Sequence, residues 1–363
     1  MNLYGNYPPM NKVNNVLVVK LRHHGDVLLT SPVFSVLKKY YPTIQIDAFI
    51  YEETLPMLEG HPAIRGFHFY RGNWKGLNFL KRVRQELALV KAIRKNRYDM
   101  VINLTEGDRG AIVAWLSGAQ YRVGVDPLDD GILGKRKIFT HIVKTCKKPR
   151  HMVEQNLDAL RRIGIFPALE ERELFCHVPG EAMHVIRDRL AQQNIAVGEY
   201  LLFHPTSRWL FKCWPVERTA ELIDRLTRKG FPIVLSAAPD QREMVMSETI
   251  IAACKTDKVV NLAGQLSLKE LAALIQQSRC LVSMDSVPMH LASALKVPAV
   301  AIFGPSSEEA WGPWGNPLGR VITSSYTCRP CNLDGCGGGK VCDCIEQISV
   351  DRVEKALLGI LSE

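Results

Sequence analysis

The sequence lacks any uninterrupted apolar run approaching the ~18 to 20 residues needed to span a bilayer. Its opening residues, Met1-Asn2-Leu3-Tyr4-Gly5-Asn6-Tyr7-Pro8-Pro9, lack the basic and apolar regions of a signal peptide. A cytoplasmic protein is therefore expected. There is no Gly-x-x-x-x-Gly-Lys-Ser/Thr, which argues against an NTPase, and no Gly-x-Gly-x-x-Gly after a strand, which argues against a dinucleotide oxidoreductase. Asp-x-Asp occurs nowhere, so a bound diphosphate would have to be met by lysine and backbone amides instead of by a divalent ion on paired aspartates. Helix-turn-helix, zinc-finger, RRM and KH signatures are also missing, which disfavours nucleic acid as a partner.

What is present is long enough for two domains: 363 residues exceed one compact core. The formal charge of +9 is unevenly spread. Between Arg71 and Arg97 nine basic residues face a single acid, Glu86, while Leu80, Val83, Leu87, Val90 and Ile93 recur at helical spacing. This predicts a helix with its apolar stripe in the core and a basic face outward. That face is either simply solvated or binds something anionic, a phosphate-rich acceptor or an anionic membrane surface. Of the ten cysteines, five crowd into Cys328-Arg329-Pro330-Cys331, Cys336, Cys342 and Cys344. In a cytosolic chain this suggests metal before disulfide. The second pair is spaced by one residue instead of two and no His lies nearby, so both a structural zinc site and a reduced, metal-free loop remain open.

Short apolar runs alternate with helical patterns, the mark of βαβ units and parallel sheets. In the first half the strands are Val16 to Leu21, Ile44 to Ile50 and Met100 to Leu104, with helices from Ser31 to Tyr40 and from His151 to Gly164. A turn-rich segment surrounds Asp126 to Gly131, and Glu170 to Gly180 reads as a linker. The alternation restarts with strands at Tyr200 to His204, Pro232 to Ser236, Val259 to Leu262, Cys280 to Met284 and Pro298 to Phe303. A last amphipathic helix, Val350 to Leu361, must pack on one of the two domains.

Parallel strands deliver their loops to the carboxyl edge of the sheet, where ligands bind. In the first half that loop is Arg22-His23-His24-Gly25-Asp26, read as a glycine turn before a helix, with Asp26 either facing the ligand or capping the helix. The second half offers His204-Pro205-Thr206-Ser207-Arg208-Trp209-Leu210-Phe211-Lys212-Cys213-Trp214-Pro215. Thr206, Ser207 and Lys212 suit a diphosphate; the alternative is a surface lysine and a packing tryptophan. In Met284-Asp285-Ser286-Val287-Pro288-Met289-His290, Asp285 or Ser286 caps a helix whose free amides form an anion site, with His290 one turn in. Asp240 ends a strand where an acid suits a ribose hydroxyl pair.

These three segments together resemble the bacterial lipopolysaccharide core heptosyltransferases, glycosyltransferase family 9, over about Val16 to the C-terminus, including His151-Met152-Val153-Glu154 and Cys328-x-x-Cys331. The run is most similar to the heptosyltransferase III branch, whose members add a side-branch heptose to heptose II. The resemblance implies an α/β GT-B fold with two Rossmann-like domains facing across a cleft. Residues 1–180 would bind acceptor and residues 181–345 the ADP-sugar, with 346–363 a C-terminal helix that in one arrangement crosses back to the first domain. It further implies inverting, metal-independent transfer of L-glycero-D-manno-heptose from ADP-heptose, with no cofactor. The acceptor would be a phosphorylated lipid A–core glycolipid at the inner face of the inner membrane of a Gram-negative bacterium. Asp26 then matches the family's general base. Thr206, Ser207, Lys212, Asp285 and His290 match the donor site, to which the cap reading adds Ser286, and Leu266 lies where adenine is held mainly by backbone. Many members carry glycine at the position of Val287. Arg71, Lys75, Arg109 and Arg122 are the candidate ligands for acceptor phosphates, and the basic face of Arg71 to Arg84 for peripheral membrane contact. Two other readings stay open: a core glycosyltransferase using another ADP- or UDP-sugar, and a non-catalytic protein binding sugar-nucleotide or nucleic acid.

Overall fold

The structure, a computed structural model, describes residues 7–72, 76, 78–126, 134–146 and 148–362. The chain divides into two compact units, Met1–His177 and Val178–Glu363, so the division falls within the charged segment read as a linker.

In the first unit, strands β1 (Asn15–Lys20), β2 (Gln45–Tyr51), β3 (Gly66–Tyr70), β4 (Met100–Asn103), β5 (Tyr121–Val125) and β6 (His141–Val143) form one sheet in the order β3-β2-β1-β4-β5-β6. Every pairing is parallel, and Val18 stands between Ala48 and Ile102. Parallel sheets carry helices on both faces, which is why β1 reads as a continuous apolar run and is buried from Val16 to Lys20. The strand order reverses at β1 and β4. Loops leaving their carboxyl ends diverge there and open a crevice, the switch point at which such sheets bind ligands.

Two sequence expectations in this unit need correction. Gly25 and Asp26 do not form a turn ahead of a helix: they lie inside a five-residue helix, His24–Leu28, whose N-cap position is His23. Asp26 therefore does not cap it; it is half-buried, whereas its helix neighbours Gly25, Val27 and Leu28 are buried. The second correction concerns the basic helix, Phe79–Lys95. Its core contacts come from Leu89 and Ile93, packed with Tyr98 and Tyr70, whereas Leu80, Val83 and Leu87 point into solvent. Helical periodicity reveals an apolar stripe but does not say which stripe docks.

In the second unit, β7 (Leu201–His204), β8 (Ile233–Leu235), β9 (Val259–Asn261), β10 (Cys280–Met284), β11 (Ala299–Ile302) and β12 (Gly319–Ile322) form a parallel sheet in the order β12-β11-β10-β7-β8-β9. Counted from each unit's first strand, the order is that of the first unit, and the switch point lies between β7 and β10. The C-terminal helix Val350–Ser362 packs on the helix Val216–Arg228 and on β11 and β12. Val353, Leu357 and Ile360 join a core with the fully buried Trp214, whose indole Nε1 donates to Ile348 O at 3.0 Å. Arg225 clamps the two helices at the surface, donating to Asp351 (2.6 Å) and Glu354 (2.9 Å).

Candidate functional site

At the first unit's carboxyl edge, β1 ends on a lysine. Lys20 is buried and donates from Nζ to Leu104 O (3.1 Å) and Asn156 Oδ1 (3.3 Å). Asn156 in turn donates from Nδ2 to Leu29 O at 3.0 Å, just beyond the helix bearing Asp26. Leu21 N donates to Thr105 Oγ1 at 2.8 Å, joining the loops after β1 and β4. Asp26 thus sits on a junction braced by three segments distant in sequence. Burial lowers the Lys20 ammonium to about 8, and the nearby Asp26 carboxylate acts in the opposite direction. Sequence reading missed Lys20 and Asn156; the only signal was a lysine inside an otherwise apolar strand.

The basic residues expected to meet an acceptor separate into groups. Arg71 follows β3 directly and donates to Glu52 Oε1 at 3.0 Å. The Arg109 guanidinium lies 3.7 Å over the ring of Tyr70, the last residue of β3, with Glu86 Oε1 at 3.8 Å. Both are therefore at the carboxyl edge. Arg122 is not: it stands near the start of β5, and its guanidinium donates to the carbonyls of Ile138 and Ala119, each at 2.6 Å. Lys75 lies outside the described residues, as does part of the turn-rich segment after Asp126.

The second unit gathers its polar residues at the equivalent edge. Lys212 Nζ and Asp285 Oδ2 are 2.7 Å apart, joining the loops after β7 and β10 across the switch point. Both side chains are largely buried. Thr206 is buried and donates to Glu243 Oε2 at 2.7 Å; Ser207 is also buried, its Oγ accepting from Trp209 N at 3.3 Å. Ser286 occupies the N-cap position of the helix Val287–Ala294 without a side-chain capping bond; Pro288 carries no N–H and Met289 N donates to Ser286 O at 3.2 Å, so in this first turn it is the Val287 amide that can meet an anion. His290, buried, lies one turn into that helix. Leu266 is half-buried in the loop after β9.

Asp240 is placed differently from the other polar groups. It caps the helix Gln241–Ala253, accepting from Arg242 N at 3.0 Å, and its carboxylate also pairs with the Arg242 side chain, which holds it below its ordinary value. The buried acid at this edge is Glu243, one turn further on, which the sequence analysis did not single out. His204, at the end of β7, hydrogen-bonds Ser236 Oγ at 3.0 Å, and complete burial lowers its imidazole to about 4.

In the cysteine loop Cys342 and Cys344 are buried beside Ile345 in the second unit's core, and burial pushes the Cys342 thiol up to about 12. Cys328 and Cys336 are exposed and Cys331 is half-buried, all as free thiols. Among the described residues no group of three or more His, Cys, Asp or Glu is placed to hold a metal ion. No described helix is long and apolar enough to cross a membrane.

Residues 86–341 match Glycosyltransferase family 9 (heptosyltransferase). The chain is 32% identical over 311 residues to lipopolysaccharide heptosyltransferase 3 of Escherichia coli, covering 85% of this chain and 89% of that one. Among solved structures, a glycosyl transferase family 9 protein from Veillonella parvula superposes with a TM-score of 0.81 at 24% identity, covering 96% of this chain and 97% of that one. E. coli heptosyltransferase WaaC with ADP superposes at 0.74 and 20% identity, covering 95% and 99%. The fold shared with these neighbours is GT-B, as the sequence resemblance implied.

Proposed function

The chain belongs to glycosyltransferase family 9, the heptosyltransferases, and from that premise we propose that it moves L-glycero-D-manno-heptose from ADP-heptose to heptose II of the lipopolysaccharide inner core, as a side branch. The observation that carries this reading is the Lys212–Asp285 pair at the second unit's switch point, beside a helix start that has no side-chain cap. It is a site for an anion that must arrive charged and leave more highly charged.

The acceptor hydroxyl oxygen attacks the anomeric carbon of the heptose as the bond from that carbon to the ADP oxygen breaks. The proton passes to the Asp26 carboxylate, and the electron pair leaves with ADP. Lys212 and the Val287 amide meet the charge that grows on the diphosphate, a preorganised arrangement that requires no metal. In this reading Asp285 orients Lys212 until the diphosphate competes for it, His290 and the Thr206–Ser207 segment line the phosphates, adenine lies against the backbone near Leu266, and Asp240 or the nearby Glu243 meets the ribose. Attack opposite the leaving group inverts the anomeric centre. Arg71 and Arg109, with Lys75, serve the acceptor's phosphates, and the protein works in the cytoplasm on the inner face of the inner membrane.

The test is to offer ADP-heptose and several UDP-sugars with a heptose-containing core acceptor and to follow the acceptor by mass. A gain of one heptose from ADP-heptose alone is expected. Transfer from a UDP-sugar, or nucleotide binding without any transfer, would overturn the assignment.

A further inference from the structure

The face of the helix Phe79–Lys95 that escapes the core is not an ordinary solvated surface. Leu80 is 78% exposed, Leu87 64% and Val83 38%. At 3.6 residues per turn the three fall within about 60° of one another, so they form one stripe along a helix of about 25 Å. Arg84 and Lys91 lie on the same face, and the helix as a whole carries Lys81, Arg82, Arg84, Lys91, Arg94 and Lys95 against Glu86, itself 3.8 Å from Arg109. The adjoining helix Asp108–Leu116 is tied to it by Arg94 Nε donating to Leu116 O at 2.7 Å, and it exposes Trp115 to 58%. Large apolar side chains left outward in a contiguous stripe mark an interaction surface. Cations threaded along that stripe select the partner. A protein partner would have to supply an acid opposite each of them within an apolar contact, whereas at an anionic bilayer their long stems lie along the acyl boundary and their charges reach the headgroups.

We propose that this helix lies in the plane of an anionic lipid surface, with Leu80, Val83 and Leu87 inserted below the headgroups and Trp115 at the interface. The proposal rests on the reading of a lipid-borne acceptor and adds to it: attachment is by apolar insertion as well as by charge. The helix follows β3, so its Leu80 end lies at the carboxyl edge of the sheet that carries Asp26. A glycolipid's sugar head would then be presented to the edge at which it reacts.

The test compares the full chain with its Leu80→Glu/Leu87→Glu variant by co-sedimentation with phosphatidylglycerol–phosphatidylcholine vesicles, alongside heptose transfer to a delipidated, water-soluble core acceptor. Both side chains are exposed, so the variant is expected to keep the parent's melting temperature. It should lose vesicle binding by about tenfold or more while transfer to the soluble acceptor stays unchanged, and the parent should retain part of its binding at high salt. The proposal is overturned if the variant binds vesicles like the parent, if pure phosphatidylcholine binds equally well, or if the stripe instead mediates a dimer that the variant dissociates on gel filtration. Transfer to the soluble acceptor reports on the proposed activity separately: its absence in the parent would count against that activity, whatever the vesicles show.

Discussion

Asp26 and Lys212 are held in contrasting ways, and each predicts a different kinetic signature. Asp26 is half-buried and carried by a short helix whose own residues are packed beneath it. Replacing it with Asn keeps shape and removes basicity. Asp26→Asn should lower kcat by roughly 10²- to 10⁴-fold while the thermal shift induced by ADP-heptose remains that of the parent. Near-normal turnover would dismiss its role as base. Lys212 is bound to Asp285, and removing it both strips charge from the leaving group and strands a largely buried carboxylate. Lys212→Ala should cost about 10²- to 10³-fold in kcat and lower the melting temperature. Adding Asp285→Ala should restore part of the lost stability and none of the rate. If kcat is unchanged in Lys212→Ala, the leaving-group role fails. At this scale the candidate site was unevenly legible from sequence. Lys212 and Asp285 stand out because polar residues at strand-to-helix loops of a parallel sheet face the ligand edge. Glu243 does not, because an acid in a helix's first turn is ordinary, and only its burial beside Thr206 sets it apart.

Secondary elements bring the reactive groups into place through a small number of buried polar junctions. Asn156, on the helix Met152–Arg161, accepts from Lys20 and donates to Leu29 O, so it couples β1 to the segment that follows Asp26. Asn156→Leu keeps the branching of the side chain, takes one of two acceptors from Lys20 and removes the donor to Leu29 O. It should cost about 1–3 kcal/mol of stability and lower kcat without changing the affinity for ADP-heptose, readable from denaturant melts and isothermal titration. Unchanged kcat at reduced stability would make the junction purely structural. The central strands were readable because burial on both faces writes itself as unbroken apolar runs, as in Val16-Leu17-Val18-Val19 and Val300-Ala301-Ile302-Phe303. Of the four outer strands only β9 was read. Gly66-Phe67-His68-Phe69-Tyr70 is half-buried along most of its length, and Gly319-Arg320-Val321-Ile322 likewise, so neither shows a clear apolar pattern. The helix Phe79–Lys95 was found but turned the wrong way, since Leu80, Val83 and Leu87 mimic a core stripe.

For the molecule as a whole, two buried histidines link fold and pH. Burial lowers His61 to about 4 in the first unit and His204 to about 4 in the second. Both folded values lie below the ordinary imidazole value of about 6.5, so the unfolded chain binds protons more readily. Their contribution is complete above about pH 6.5 and is lost as pH falls toward 4, at up to about 1.4 kcal/mol per pH unit for each histidine. Melting temperature should therefore decline steadily over that window. His61→Phe should flatten the decline, provided Phe fits beside Phe34 and Phe175, which already face the ring. A parent protein with a flat profile between pH 6.5 and 4 would contradict this account. The two units share one strand order yet present different chemistry at their carboxyl edges, a carboxylate at one and a lysine beside an uncapped helix start at the other. The central claim of the proposed function is an inverting heptosyl transfer to heptose II. Its most direct test is linkage and anomeric analysis by NMR of the product formed from ADP-heptose and a core acceptor ending at heptose II. The account predicts one new heptose attached to heptose II with its anomeric configuration inverted relative to the donor. A retained configuration, or attachment to any other sugar, would contradict it.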